Sequence, residues 1–214
     1  MQQIQLMKDP YNIIVTGVGG QGNVMASRVL SHMLTLKGYL VTIGETFGAS
    51  QRGGSVMSHV RVSAESTWSP LIPKGQADIV VALEPVEAIR VLTFYGNPEV
   101  KVLSNTRPIY PVGVIAGELS YPTLEEINES MRGLTELVLF IDATKEAVTL
   151  GNPILSNIIM IGAVSGLGVL PVGIDEFKKV VGNMVPKKHL DVNICAFEIG
   201  MSQSINKVGT GSKK

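Results

Sequence analysis

Apolar positions alternate between two periods along this chain, and the switches between them outline its elements. Asn12 to Thr16 holds the short apolar run Ile13-Ile14-Val15, which ends at Gly17-Val18-Gly19-Gly20-Gln21-Gly22, the pattern of a buried strand entering a glycine turn. From Asn23 to Lys37 the apolar residues fall at 25, 26, 29, 30, 33 and 34, with Ser27, Arg28, Ser31, His32 and Thr35 on the other face. That stripe predicts an amphipathic helix ended by Gly38. Leu40-Val41-Thr42-Ile43 then returns as a strand, completing a unit for which a right-handed parallel crossover is favoured.

Further strands are predicted at Val56 to Val62, Ile79 to Leu83, Val100 to Leu103, Val112 to Ile115 and Leu137 to Ile141. Glu84-Pro85 opens a helix over Val86 to Phe94, and Thr123-Leu124-Glu125-Glu126 has the form of a capping box. Helices follow near 144–150, 153–167, 174–184 and 190–203. This alternation predicts a single α/β domain over residues 1–206, a Rossmann-like, mostly parallel sheet with helices on both faces. Residues 207–214 read as a disordered tail.

Composition removes several functions. Among 214 residues, 18 Lys+Arg balance 18 Asp+Glu, and no segment gathers the basic charge that a nucleic-acid partner requires. Residues 147–174 are uncharged, yet they contain five glycines, Pro153, Pro171 and the helix start Asn152-Pro153, so a buried helix is expected there and not a membrane span. No secretory apolar run lies within the first twelve residues, which points to the cytoplasm. A single cysteine, Cys195, can form neither a disulfide within the chain nor a four-cysteine cluster site, and its apolar neighbours predict a buried, inert thiol. The three histidines, at 32, 59 and 189, have no metal-ligand spacing, so no metal site is expected. No nucleophile motif is legible, and no catalytic residue is assigned.

Two glycine blocks carry what chemistry there is. Gly17-x-Gly19-x-x-Gly22 satisfies the dinucleotide fingerprint, with Glu45 roughly twenty residues on, near the expected acidic ribose contact. A free-standing NAD(P)-binding protein is one reading of it, and tight strand-to-helix packing without ligand is the other. Gly48-Ala49-Ser50-Gln51-Arg52-Gly53-Gly54 follows the second strand, where Arg52 beside bare backbone suits a phosphate or carboxylate, or a carboxylate on a neighbouring subunit. His59 and Arg61 alternate with Met57 and Val60 and read as a solvated or interface face.

Together, Gly17 to Gly22 and Gly48 to Arg61 resemble the gamma domain of the 2-oxoacid:ferredoxin oxidoreductase family, and most of all its indolepyruvate branch. Supporting blocks are Ile72 to Asp78, Leu83 to Arg90, Tyr121 to Ile127 and Gly151 to Ala163, so the resemblance spans roughly residues 12 to 200. It implies the small subunit of a complex that decarboxylates an aryl pyruvate, passes electrons to ferredoxin and transfers the acyl group to coenzyme A. Pyruvate, branched-chain and phenylglyoxylate enzymes are the sibling alternatives. Thiamine diphosphate and the iron–sulfur clusters would sit in a large partner subunit, since this chain has no Gly-Asp-Gly thiamine motif and one cysteine. Gly19, Gly20, Gln21 and Gly22 with Gln51, Arg52, Gly53 and Gly54 would form a lip toward that partner and accommodate coenzyme A or substrate.

Overall fold

The computed structural model describes residues 6–48 and 54–211, with side chains to 207. Six strands form one sheet in the order β2-β3-β1-β4-β5-β6. They are β1 (Tyr11–Val18), β2 (Leu40–Phe47), β3 (Ser55–Ser63), β4 (Ile79–Ala82), β5 (Lys101–Asn105) and β6 (Leu137–Ile141). Strands β1, β4, β5 and β6 pair in parallel, whereas β3 is antiparallel to both β1 and β2. The expected β1–helix–β2 crossover therefore exists, but β3 folds back between its two strands.

Both faces of the sheet are covered. Ile13, Val15, Ile79, Val81, Leu103 and Ile141 point into the larger core, against α1 (Asn23–Leu36), α5 (Ala143–Thr149), α6 (Ser156–Gly166), α7 (Ile174–Met184) and α8 (Leu190–Gly211). Their alternates Ile14, Val80, Ala82 and Val102 point into the smaller core, against α2 (Pro85–Tyr95) and α4 (Leu124–Arg132). This period-2 division is what a sheet buried on both faces requires. Local signals set the helix starts: the Glu84 side chain caps α2 ahead of Pro85, Thr123 and Glu126 form the capping box of α4, and Asn152 caps a short 3-10 turn before α6.

The uncharged stretch is core. Ser156 through Ser165 are all buried, and α6 packs so closely on α8 that a Cβ on Gly162 would lie 2.0 Å from the Phe197 carbonyl oxygen and one on Gly200 1.8 Å from that of Ile159. Among the described residues no helix is long and apolar enough to cross a membrane.

Four expectations are corrected. Val112 to Ile115 is a short surface helix, α3, because Pro111 occupies its N-cap and the free edge of β5 is taken by β6. His59 and Arg61 are buried, because β3 is an interior strand and the 64–76 strap crosses its outer face. Cys195 is exposed: α8 buries positions 193, 196, 197, 200 and 204, and 195 falls on the opposite side of the helix. The last helix, expected near 190–203, runs as α8 to Gly211; 212–214 lie outside the described residues.

Candidate functional site at the carboxyl edge of the sheet

In an open α/β sheet the ligand crevice lies at the carboxyl ends of strands where the chain turns in opposite directions along the sheet. Here that switch point falls between β1, which leads toward β2, and β4, which leads toward β5. The Gly17–Gly22 turn stands over it. Gly20 and Gly22 have φ of +102° and +83°, the left-handed region in which a Cβ is strained, and a Cβ on Gly22 would also sit 2.2 Å from Asn157 Nδ2. The turn is therefore built for glycine on backbone grounds.

Gln21 spans the crevice. Its Oε1 accepts from the Val18 amide at 2.7 Å, and its Nε2 donates to the Leu83 carbonyl at 2.9 Å, so the side chain ties the end of β1 to the end of β4. With both amide ends committed to backbone, its part at the site is to hold the turn in place. Helix α1 has Gly22 as its N-cap, with no side-chain cap and no acidic residue in its first turn, and its first backbone bond runs from the Ala26 amide to the Gly22 carbonyl. The amides of Asn23, Val24 and Met25 thus precede any helical acceptor, the arrangement that favours an anion.

The two glycine blocks meet. The Gly19 amide donates to the Gly54 carbonyl at 2.9 Å, and the Gly48 amide to the Ser55 carbonyl at 2.7 Å, so the β2–β3 connection closes beside the first turn. Gln51, Arg52 and Gly53 lie outside the described residues. Gly19, Gly20, Gln21, Gly22 and Gly54 are brought to one edge.

Glu45 does not join them. With β3 between β1 and β2, it stands two strand spacings from β1, roughly 10 Å, and it faces Arg28 at 3.8 Å. The acidic ribose contact of a dinucleotide site has no counterpart at that position.

Residues outside the two glycine blocks complete the edge. Glu84 is buried and accepts from the Glu87 amide at 2.9 Å, the Ile109 amide at 3.3 Å and the Tyr121 hydroxyl. Burial, and then that bond to Glu84, raise the Tyr121 phenol far above its ordinary value, so it acts as a fixed donor. Glu87, also buried, accepts from Ser55 Oγ at 2.6 Å and from Arg90 at 2.9 Å, which ties α2 to the first residue of β3. Asn105 bonds the Leu83 carbonyl at 3.1 Å and Thr144 Oγ1 at 2.8 Å. Asn23 Oδ1 is buried beneath the glycine turn with no hydrogen-bond partner among the described residues. Beside it opens a cleft of about 220 Å³ with Met25, Ile154 and Val192 as apolar wall and Asn152, Asn157 and His189 as polar groups. Among the described residues no cluster of His, Cys, Asp and Glu could hold a metal ion.

Comparison with known proteins gives this chain a family. The indolepyruvate oxidoreductase subunit IorB of Thermococcus kodakarensis is 38% identical over 200 residues, which are 93% of this chain and 98% of the relative. That of Pyrococcus horikoshii is 39% identical over 192 residues, 89% of this chain and 94% of the relative. The gamma subunit of a keto/oxoacid ferredoxin oxidoreductase from Geobacter sulfurreducens shares the fold with a TM-score of 0.65 at 21% identity, covering 92% of this chain and 99% of that one. A 2-oxoglutarate:ferredoxin oxidoreductase from Magnetococcus marinus, solved with 2-oxoglutarate, coenzyme A and succinyl-CoA, shares it with a TM-score of 0.70 at 21% identity, over 92% of this chain but 31% of that longer one. Residues 12–203 match the model of the pyruvate ferredoxin/flavodoxin oxidoreductase family, and with relatives of such identity along almost its whole length, the chain belongs to that family.

Proposed function

We propose that this chain is the small subunit of a cytoplasmic indolepyruvate:ferredoxin oxidoreductase, which assists oxidative decarboxylation of aryl pyruvates to aryl-acetyl-CoA. The observation that carries the reading is near full-length identity of 37–39% to three indolepyruvate oxidoreductase subunits, against 27–28% over about 155 residues for pyruvate/ketoisovalerate and phenylglyoxylate gamma subunits. A large partner supplies thiamine diphosphate and the iron–sulfur clusters, and electrons leave through the complex to ferredoxin. The chain's own contribution is positioning. Gly19, Gly20, Gln21 and Gly22, with Gln51, Arg52, Gly53 and Gly54, form the lip that faces the large subunit and accommodates coenzyme A. Coenzyme A brings phosphates, and an uncapped helix N-terminus together with an arginine is chemistry suited to them. Closure of a second subunit over the same edge excludes water from the reacting centre.

Two measurements test this. Anaerobic viologen reduction with indolepyruvate, phenylpyruvate or pyruvate plus coenzyme A is expected only from the assembled pair, and fastest with an aryl pyruvate. Preference for pyruvate would move the chain to a sibling enzyme, and activity of the chain alone would refute the division of labour. Arg52→Ala, with assembly retained, is expected to raise the apparent KM for coenzyme A about tenfold or more. Unchanged KM and turnover would remove Arg52 from the site.

A further inference from the structure

Between β5 and α4 the chain builds a ledge that none of the described residues covers. Val112 is 82% exposed, Ile115 74%, Leu119 66%, Tyr110 52% and Ile109 39%, and helix α3 (Val112–Ile115) buries no residue at all. A helix is ordinarily held by its apolar face, so one with none of its side chains buried lacks the usual reason to carry valine and isoleucine. The ledge is nevertheless firmly built. The Ala116 amide donates to the Val112 carbonyl at 2.8 Å, and the Glu118 and Leu119 amides close onto the Gly113 carbonyl at 2.9 and 3.1 Å. The Tyr110 ring stands edge-on to Tyr121 with centroids 5.2 Å apart.

We infer that this ledge is the docking surface for the large thiamine-bearing subunit, an inference that rests on the function proposed above. Area supports it. With exposed side chains of these types offering roughly 150–200 Å² each, the five residues present on the order of 500 Å² of apolar surface, at the upper end of what a soluble monomer leaves bare. One side of a standard interface buries about 800 Å², somewhat over half of it apolar, so the ledge alone supplies the apolar share of one side. Position supports it as well. The Ile109 amide and Tyr121 hydroxyl both donate to Glu84, whose neighbour Leu83 receives Gln21, so a short run of hydrogen bonds joins the ledge to the glycine lip. A partner that must bring its thiamine group to that lip covers the same carboxyl edge, and the ledge lies beside it.

The test is association of the full chain with its cognate large subunit, read by size-exclusion chromatography and by titration of one subunit into the other. Val112→Asp with Ile115→Asp places two charges where no side chain is buried, so the thermal midpoint of the isolated chain is expected to stay unchanged. Binding to the large subunit is expected to weaken about 100-fold or more. Leu134→Asp, an exposed apolar position at the opposite edge just before β6, serves as control and is expected to bind within about twofold of wild type. Equal binding by the double variant, or equal loss in the control, overturns the ledge while the subunit reading stands. Failure of the wild-type pair to assemble instead overturns the subunit reading, and a second copy held by the ledge would then replace the occupant named here.

Discussion

His59 couples the middle of the sheet to pH. Its Nδ1 accepts from the Ile72 amide at 3.3 Å, which requires that nitrogen unprotonated, and the ring stands edge-on to Tyr95 with centroids 5.2 Å apart. Burial first, and then the nearby Arg61 guanidinium, hold its pKa below the ordinary imidazole value. The unfolded chain therefore binds a proton more readily than the native one. The contribution to stability is full above about pH 6.5, declines as pH falls from there toward the lowered native pKa, and changes no further below it. Urea unfolding between pH 7.5 and 5 is expected to show this loss, and His59→Phe to remove it; an identical pH dependence in the variant would place the coupling elsewhere. Alternation along β3 marks His59 and Arg61 as sharing a face, but not that the face is covered. The cover is the 64–76 strap, where Ser69 accepts from Arg61 Nη1 at 3.1 Å, Trp68 lies 5.0 Å beneath the guanidinium, and Pro70 approaches Gly44 too closely for a Cβ. A strap of mostly exposed polar and proline residues has no period to read.

Among the elements, α6 and α8 show how an apolar run without charge becomes buried core. Their axes meet at Gly162 and Gly200, where only hydrogen fits between the backbones. Gly200→Ala is expected to force the helices apart and cost about 2 kcal/mol or more, measured as a fall in the urea midpoint at unchanged slope. A cost below about 0.5 kcal/mol would mean that the crossing relaxes freely. Helices with strong local signals were legible at their starts: Asn152 before Pro153, Glu84 before Pro85, Thr123 three residues before Glu126. Val112 to Ile115 was not, since three apolar residues and a glycine fit a strand or a helix equally, and Pro111 with the occupied β5 edge decided between them.

At the scale of the whole molecule, one face is unfinished. The Gly17–Gly22 turn and the apolar ledge share the carboxyl edge, and an apolar surface of that size tends to find a cover. The isolated chain is expected to self-associate with rising concentration in sedimentation velocity, and Val112→Asp with Ile115→Asp to reduce this. A wild-type chain that stays a stable monomer at high concentration would count against an obligate interface.

By itself the sequence determined the α/β class, the order of the elements other than α3, the glycine turn after β1 and the absence of cluster-binding cysteines, because each is written in local periodicity or residue type. It also carried the family, through blocks spread along nearly the whole chain. Only the tertiary structure decided that β3 folds back between β1 and β2, which moves Glu45 away from the turn it would otherwise serve. It alone decided that Gln21 clasps β1 to β4 and that Glu84, Glu87 and Tyr121 bind the edge together. Strand order and burial depend on contacts between residues far apart in the chain, and no local pattern encodes which strand comes to lie beside which.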